Sequence, residues 1–229
     1  MLAGTAALTV DAAVAQDIVP PPPLKPGMAW SYRQWEELSG RDMGLVHAEV
    51  VAVASDQVTV RVTVPGEQTT NERWDTAGNW QQVGTQGWAW LARLAGPSKR
   101  VEFVPALALY RFPLPVGKSW VESARAVDPD TRRTTQLKVF AKALSWEEVN
   151  VPAGKFNAVK VRRSIAAEDA EPTRSGTTVT LIDWYAPQAA GPVKRICTWE
   201  HNDYRRPRPD QLVRGPRIRL ELAQYVSAQ

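Results

Sequence analysis

Few residues in this chain combine the type and spacing that chemistry needs. His201 sits in Trp199-Glu200-His201-Asn202-Asp203, where a carboxylate could orient an imidazole. Neighbours in a strand point to opposite faces, so Glu200 does not share a face with His201, whereas Asp203, two residues on, does. His47 stands among Val46, Ala48 and Val50 and reads as a sheet-surface or packed histidine. Cys197, between Ile196 and Thr198, lacks a local base that would hold a thiolate, so a buried inert thiol is the better reading. The acid pairs Glu36-Glu37 and Glu147-Glu148 diverge as strand neighbours, so neither forms a glycosidase-like dyad; both read as solvated turn or strand-end charges. The sequence has no G-x-S-x-G elbow and no H-E-x-x-H pair. No catalytic residue, metal ligand or cofactor is therefore assigned, and the balance lies against an enzyme; the alternatives to a binding protein are a hydrolase of cell-wall or polysaccharide material, with acids assembled from distant strands, and a structural subunit that assembles through sheet edges.

Binding is better served. Ten Trp outnumber five Tyr and four Phe, and an indole suits a core, a sugar platform or an interface alike. Most belong in the core. Trp88 and Trp90, in a stretch flanked by Gly87, are the candidates for exposure; on a strand both rings would stand on one face. Arg205, Arg206 and Arg208, followed by Arg214, Arg217 and Arg219, are interleaved with Pro207, Pro209 and Pro216. Guanidinium forks suit phosphate and carboxylate. Trp88, Trp90, Arg205, Arg206 and Arg208 are the candidate ligand-binding residues. The fitting partners are an envelope lipid, a polysaccharide or another protein. Nucleic acid is set aside because the N-terminus reads as an export signal.

That N-terminus is MLAGTAALTVDAAVA, small and apolar, with Ala13-Val14-Ala15 before Gln16 matching the small-x-small rule of secretory cleavage. It lacks a basic start, so residues 1–15 read as a signal-peptide remnant, too short to span a membrane. The expected location is periplasmic or secreted. The formal net charge of +4 becomes +5 once Asp11 leaves with the leader, a mild pull toward anionic surfaces. Residues 16–26 contain four consecutive prolines, Pro20 to Pro23, and read as a stiff polyproline linker.

The elements that must position these groups are strands. Gln57 to Val64 alternates so that Val58, Val60, Val62 and Val64 share one face and Thr59, Arg61 and Thr63 the other. With Leu45–Ala54 and the Ser55-Asp56 turn it makes a hairpin. Further strands are expected at 67–75, 79–83, 100–104, 119–127, 134–144, 157–165, 177–185, 193–200 and 217–226. Helical periodicity is confined to Trp88–Leu94, and the βαβ rhythm of a nucleotide-binding sheet is missing. The fold class is mainly β: an antiparallel curved sheet, as a sandwich or partly closed barrel, in one domain spanning 27–229. Pro26-Gly27-Met28-Ala29-Trp30 resembles Pro115-Val116-Gly117-Lys118-Ser119-Trp120, which suggests two similar halves, 27–112 and 113–229. One Cys excludes a disulfide scaffold, and 14 Gly with 18 Pro are too few for low complexity.

Val151-Pro152-Ala153-Gly154-Lys155-Phe156-Asn157-Ala158-Val159-Lys160-Val161, Trp184-Tyr185-Ala186-Pro187 with Gly191-Pro192-Val193-Lys194-Arg195, and the Pro115–Trp120 turn form a further pattern. Over about residues 113–200 they resemble the TapB-like group and related domains of unknown function among bacterial secreted or periplasmic proteins. Gln188-Ala189-Ala190 before Gly191 departs from that group's pattern in one loop. The resemblance implies an exported, β-rich envelope protein and carries no catalytic residue across. By themselves these motifs are turn chemistry: Pro152 sets φ at a corner and Gly154 accepts positive φ after it.

Overall fold

The computed structural model describes residues 18–84, 100–168 and 176–227. Strands account for nearly all of its regular structure: β1 (Ile18–Val19), β2 (Ala29–Glu36), β3 (Arg41–Val53), β4 (Val58–Thr63), β5 (Thr70–Trp74), β6 (Trp80–Gly84), β7 (Arg100–Leu107), β8 (Leu114–Pro115), β9 (Ser119–Val127), β10 (Thr134–Val151), β11 (Gly154–Ala167), β12 (Thr177–Ala186), β13 (Gly191–Asn202), β14 (Leu212–Arg214) and β15 (Ile218–Val226). A 3-10 turn, Pro187–Ala189, joins β12 to β13. Every pairing is antiparallel.

Twelve strands follow one another around a closed barrel: β2, β3, β4, β5, β6, β7, β9, β10, β11, β12, β13 and β15, which returns to β2. Closure rests on the β12–β13 pairing, running from Thr178↔Glu200 to Ala186↔Gly191. Of the arrangements the alternation allowed, the chain adopts the barrel. Each of the twelve strands is paired on both sides for part of its length, so none of them presents an open edge along its whole length.

The alternation produces the core directly. Val58, Val60 and Val62 are buried while Arg61 is exposed, and Val64, one residue past the strand, packs half-buried against them. In β10, Leu137, Val139, Ala141 and Ala143 turn inward and Lys138, Phe140 and Lys142 outward. The inward sets merge in one hydrophobic cluster, so the barrel is filled and is no open channel.

The first six strands and the last six open in the same way. Gly27 N–H donates to the Val50 carbonyl at 2.9 Å, and Val50 N–H to Met28 at 2.8 Å. Gly117 N–H donates to Ala143 at 2.9 Å, and Ala143 N–H to Lys118 at 2.8 Å. Both glycines have left-handed backbone, φ +87° and +90°, which L side chains adopt only with strain. Val50 and Ala143 each precede a register shift in their ladders.

Two expectations fall outside the described residues and two meet the structure differently. The leader, residues 1–15, lies outside the described residues, as does the helical pattern at 88–94. The polyproline stretch is no free spacer: Ile18 and Val19 pair with Pro115 and Leu114, and Val19 and Pro22 are buried. A stiff extended segment can lie along an apolar wall without donating to a ladder, and that is what it does here. Finally, β10 runs to Val151, seven residues past its expected end, because a bulge between Ala143 and Ser145 lets pairing with β11 continue.

Candidate functional site

Three inward positions on adjacent strands carry charge. Arg163 is in phase with Val159, Val161 and Ile165 on β11, Asp183 with Val179, Leu181 and Tyr185 on β12, and Arg195 with Val193 and Cys197 on β13. Asp183 lies directly across the ladder from Arg195. Arg195 grips it with two hydrogen bonds, Nε to Oδ1 at 2.6 Å and Nη2 to Oδ2 at 2.7 Å. Arg163 Nη2 also donates to Oδ2, as does the Tyr110 hydroxyl at 2.5 Å. Arg163 Nη1 donates to the Leu109 carbonyl at 3.0 Å, tying in the segment after β7. Arg163 lies 4.8 Å from the Tyr110 ring centre and Arg195 5.5 Å from that of Trp80, both cation–π distances. All four residues are buried.

Burial alone would raise the Asp183 carboxyl, but the two guanidiniums, with hydrogen bonds from Arg195 and Tyr110, overcome it and hold Asp183 well below the usual carboxylate range. Burial and the neighbouring carboxylate push the Tyr110 hydroxyl well above its ordinary value. Within the trio, two guanidiniums face one carboxylate, an excess of one positive charge.

Above this cluster a recess enters one end of the barrel. Its walls are Trp30, Tyr32, Trp74, Trp80, Tyr110 and Tyr185, with Leu24 and Pro22 of the N-terminal segment, Ala190-Gly191-Pro192 of the β12–β13 turn, and Arg195 beneath. The free space is about 50 Å³, room for a few waters or one small apolar group. Two indole N–H groups are already used by the fold: Trp30 donates to the Ala189 carbonyl at 2.6 Å and Trp74 to Glu72 at 3.0 Å. Those bonds orient the rings 6.4 Å apart. Asn79 fixes the opposite wall by accepting the Tyr110 N–H at 2.7 Å. The Tyr185 hydroxyl is buried and has no hydrogen-bond partner among the described residues. Burial, then the nearby Tyr32, raises its pKa, so it stays a neutral donor and acceptor.

Of the residues singled out from the sequence, only the arginines can be placed, and they fall elsewhere. Trp88 and Trp90 lie outside the described residues. Arg205, Arg206 and Arg208 are exposed beyond the far end of β13. Arg205 bonds Asp203 through Nε at 2.9 Å and Nη2 at 3.0 Å, and Arg206 stands 3.8 Å from the same carboxylate. Hydrogen bonding from Arg205 brings Asp203 down to about 2. β13 leads away from the recess at Gly191 to this turn, roughly 35 Å at ordinary strand rise, so the arginines cannot rim the recess.

His47 is exposed, its Nδ1 3.0 Å from the Ser31 hydroxyl, and His201 is buried and stacked on Trp199 at 5.7 Å. Burial pushes the Cys197 thiol up to about 12, as an inert thiol requires. Glu147 corrects the reading of the acid pairs as solvated: it accepts from Trp184 Nε1 at 2.7 Å, from Lys160 at 3.1 Å and from Ser145 at 3.0 Å. These hydrogen bonds outweigh its partial desolvation and lower its carboxyl. The charge trio was missed because each residue was weighed by type. Its signal was phase: a charged residue at an inward position of an alternating strand.

No family model matches this chain, and no curated protein matches it. Solved structures do. An inferred lipoprotein from Parabacteroides distasonis aligns with a TM-score of 0.53 at 16% identity, over 92% of this chain and 100% of that one. An inferred exported protein with a YmcC-like fold from Bacteroides fragilis aligns at 0.49 and 14%, over 92% and 100%. The hypothetical lipoprotein YmcC from Escherichia coli aligns at 0.38 and 8%, over 89% and 87%. The Parabacteroides protein shares the fold. The TapB-like resemblance is carried by the sequence motifs alone.

Proposed function

We propose that this chain is an exported, non-enzymatic envelope protein that holds the apolar end of an amphipathic envelope component in the barrel-end recess. The observation that carries this reading is the recess itself: aromatic faces whose N–H groups are spent on the fold, one unpartnered buried hydroxyl on Tyr185, and a cationic trio beneath. Apolar walls with one or two convergent polar groups are the usual makeup of a small-molecule site. An alkyl or small-ring end fits the volume, and the Tyr185 hydroxyl would bond an ester or hydroxyl oxygen. Export is supported by the Ala13-Val14-Ala15 pattern and by the lipoprotein description of the Parabacteroides protein with the same fold.

The test is a titration of indole fluorescence with laurate, a lauroyl lysophospholipid and a cell-wall disaccharide. Emission should respond to the two acyl ligands and not to the sugar. No response to either acyl ligand, in protein whose circular dichroism is that of a folded sheet, removes the reading. Export is tested separately by fractionation and N-terminal sequencing, with Gln16 the expected first residue; intact Met1 in a cytosolic fraction would overturn it.

A further inference from the structure

The outer face of β9, β10 and β11 is basic with an apolar centre. Register places Phe140 opposite Val121 on one side and Ser164 on the other, Lys138 opposite Ser123 and Ala166, and Lys142 opposite Ser119 and Arg162. Arg125 lies opposite Gln136 one rung further. Phe140 is 44% exposed and Val121 57%, although both sit in the middle of long, well-paired strands. Arg125, Lys138, Lys142 and Arg162 are all exposed, and none has an ion-pair partner among the described residues. The outward positions from Ser119 to Arg125, Gln136 to Lys142 and Arg162 to Ala166 carry no carboxylate; the exposed Glu168, next in phase after Ala166, stands at the edge of the patch across Gln136 from Arg125, its N–H donating to the Gln136 carbonyl at 3.0 Å. Glu122 alternates to the other face and is bonded to Arg111 at 2.8 Å. Lys138 reaches over the Phe140 ring at 5.3 Å, its stem covering apolar surface and its ammonium at the edge.

We propose that this face docks on an anionic lipid surface. Four exposed cations without ion-pair partners among the described residues, with Glu168 only at their margin, favour a negatively charged partner. What selects a bilayer over a soluble polyanion is the centre. A ring and a branched aliphatic side chain, cross-strand neighbours ringed by cations, match the layered order of a membrane interface. The apolar pair enters the boundary between headgroups and acyl chains while the cations meet phosphates above it. A hydrated polyanion would satisfy the cations and leave the apolar pair in water. The patch measures about 20 Å along the strands by about 10 Å across, the footprint of several headgroups. It lies on the side of the barrel, apart from the recess, and stands whether or not the recess holds a ligand.

The experiment is co-sedimentation of the folded chain with vesicles of phosphatidylcholine alone and of phosphatidylcholine with 30% phosphatidylglycerol. The anionic vesicles should bind and the neutral ones should not. Lys138→Glu with Lys142→Glu should lower partitioning at least tenfold. Phe140→Ser with Val121→Ser should lower it severalfold and abolish the part that survives raised salt, since only the apolar part escapes screening. All four positions are exposed, and thermal unfolding would confirm that the variants fold. Equal binding to both vesicles, or charge-reversal variants that bind like wild type, overturns the proposal. So does binding to dextran sulfate with none to anionic vesicles, which would make the face a reader of soluble polyanions. Failure here leaves the recess reading intact, because the laurate titration reads a different part of the molecule.

Discussion

Asp183 and Arg195 face each other across the strand pair that closes the barrel, joined by two hydrogen bonds in which both carboxylate oxygens accept. The pair adds to register at closure: a two-residue slip would keep the inward faces inward but would part this carboxylate from its guanidinium. Breaking it by Asp183→Asn leaves two guanidiniums buried without a counter-charge. The expected loss is about 3–5 kcal/mol of unfolding free energy, read from urea denaturation. A loss below about 1 kcal/mol would mean the trio is solvated and contributes little to closure.

The same carboxylate predicts how stability depends on acid. Its folded pKa lies below its unfolded value of about 3.9, so the unfolded state binds more protons as pH falls. The stabilisation is complete above about pH 5 and is lost progressively below it. Asp203, brought down to about 2, contributes over the upper part of that range. Urea midpoints measured from pH 6 to pH 2 should fall steeply below pH 4, and the Asp183→Asn variant should show a shallower acid limb. Parallel limbs would assign the acid sensitivity to other carboxylates.

Val60 tests the strand reading itself. It is fully buried at the middle of β4, with Arg61 beside it in water, 3.2 Å from Glu49. Val60→Asp should cost about 3 kcal/mol or more, because an unpaired charge enters an apolar core. Arg61→Ala should stay within about 0.5 kcal/mol, the surface range. Similar costs at both positions would mean that β4 does not alternate as described.

How far the sequence disclosed this molecule depends on how local the determining contact is. Ser119–Val127 was legible to the residue because alternation and its flanking turns are local signals. The inward Val58–Val62 set was legible for the same reason. The return of β15 to β2 and the pairing of β7 with β9 across the excursion that contains β8 are not local, and alternation is silent on them. The recess is less legible still, since β2, β5, β6, β12 and the segment after β7 each supply one or two of its side chains. Trp30, Trp74 and Trp80 were counted among the ten indoles, but which of them share a wall follows only from closure.

Cys197 gives a simple check on the far end of the core. Burial that raises its thiol to about 12 leaves almost no thiolate at pH 8 and no path for a reagent. Iodoacetamide at pH 8 should leave the folded protein unmodified for hours by mass spectrometry and add one adduct within minutes in urea. Rapid labelling of the folded protein would place the thiol on a fluctuating strand.

Tyr185 separates a structural role from a binding one. Its hydroxyl is buried without a partner among the described residues, a state that costs about 1–3 kcal/mol if nothing ever bonds it. Tyr185→Phe removes the hydroxyl and keeps the ring that packs against Tyr110 at 5.1 Å and Phe112 at 5.3 Å. The variant should therefore be at least as stable as wild type in the absence of ligand. A ligand that hydrogen-bonds the hydroxyl should bind the variant more weakly, by about 1 kcal/mol or a factor of about five. Opposite signs for stability and affinity are the signature of a group kept for binding at the expense of packing. Thermal unfolding without ligand, beside the lauroyl lysophospholipid titration, reads both. A variant that loses stability and keeps its affinity would assign the hydroxyl to the fold, bonded there by a water in the recess.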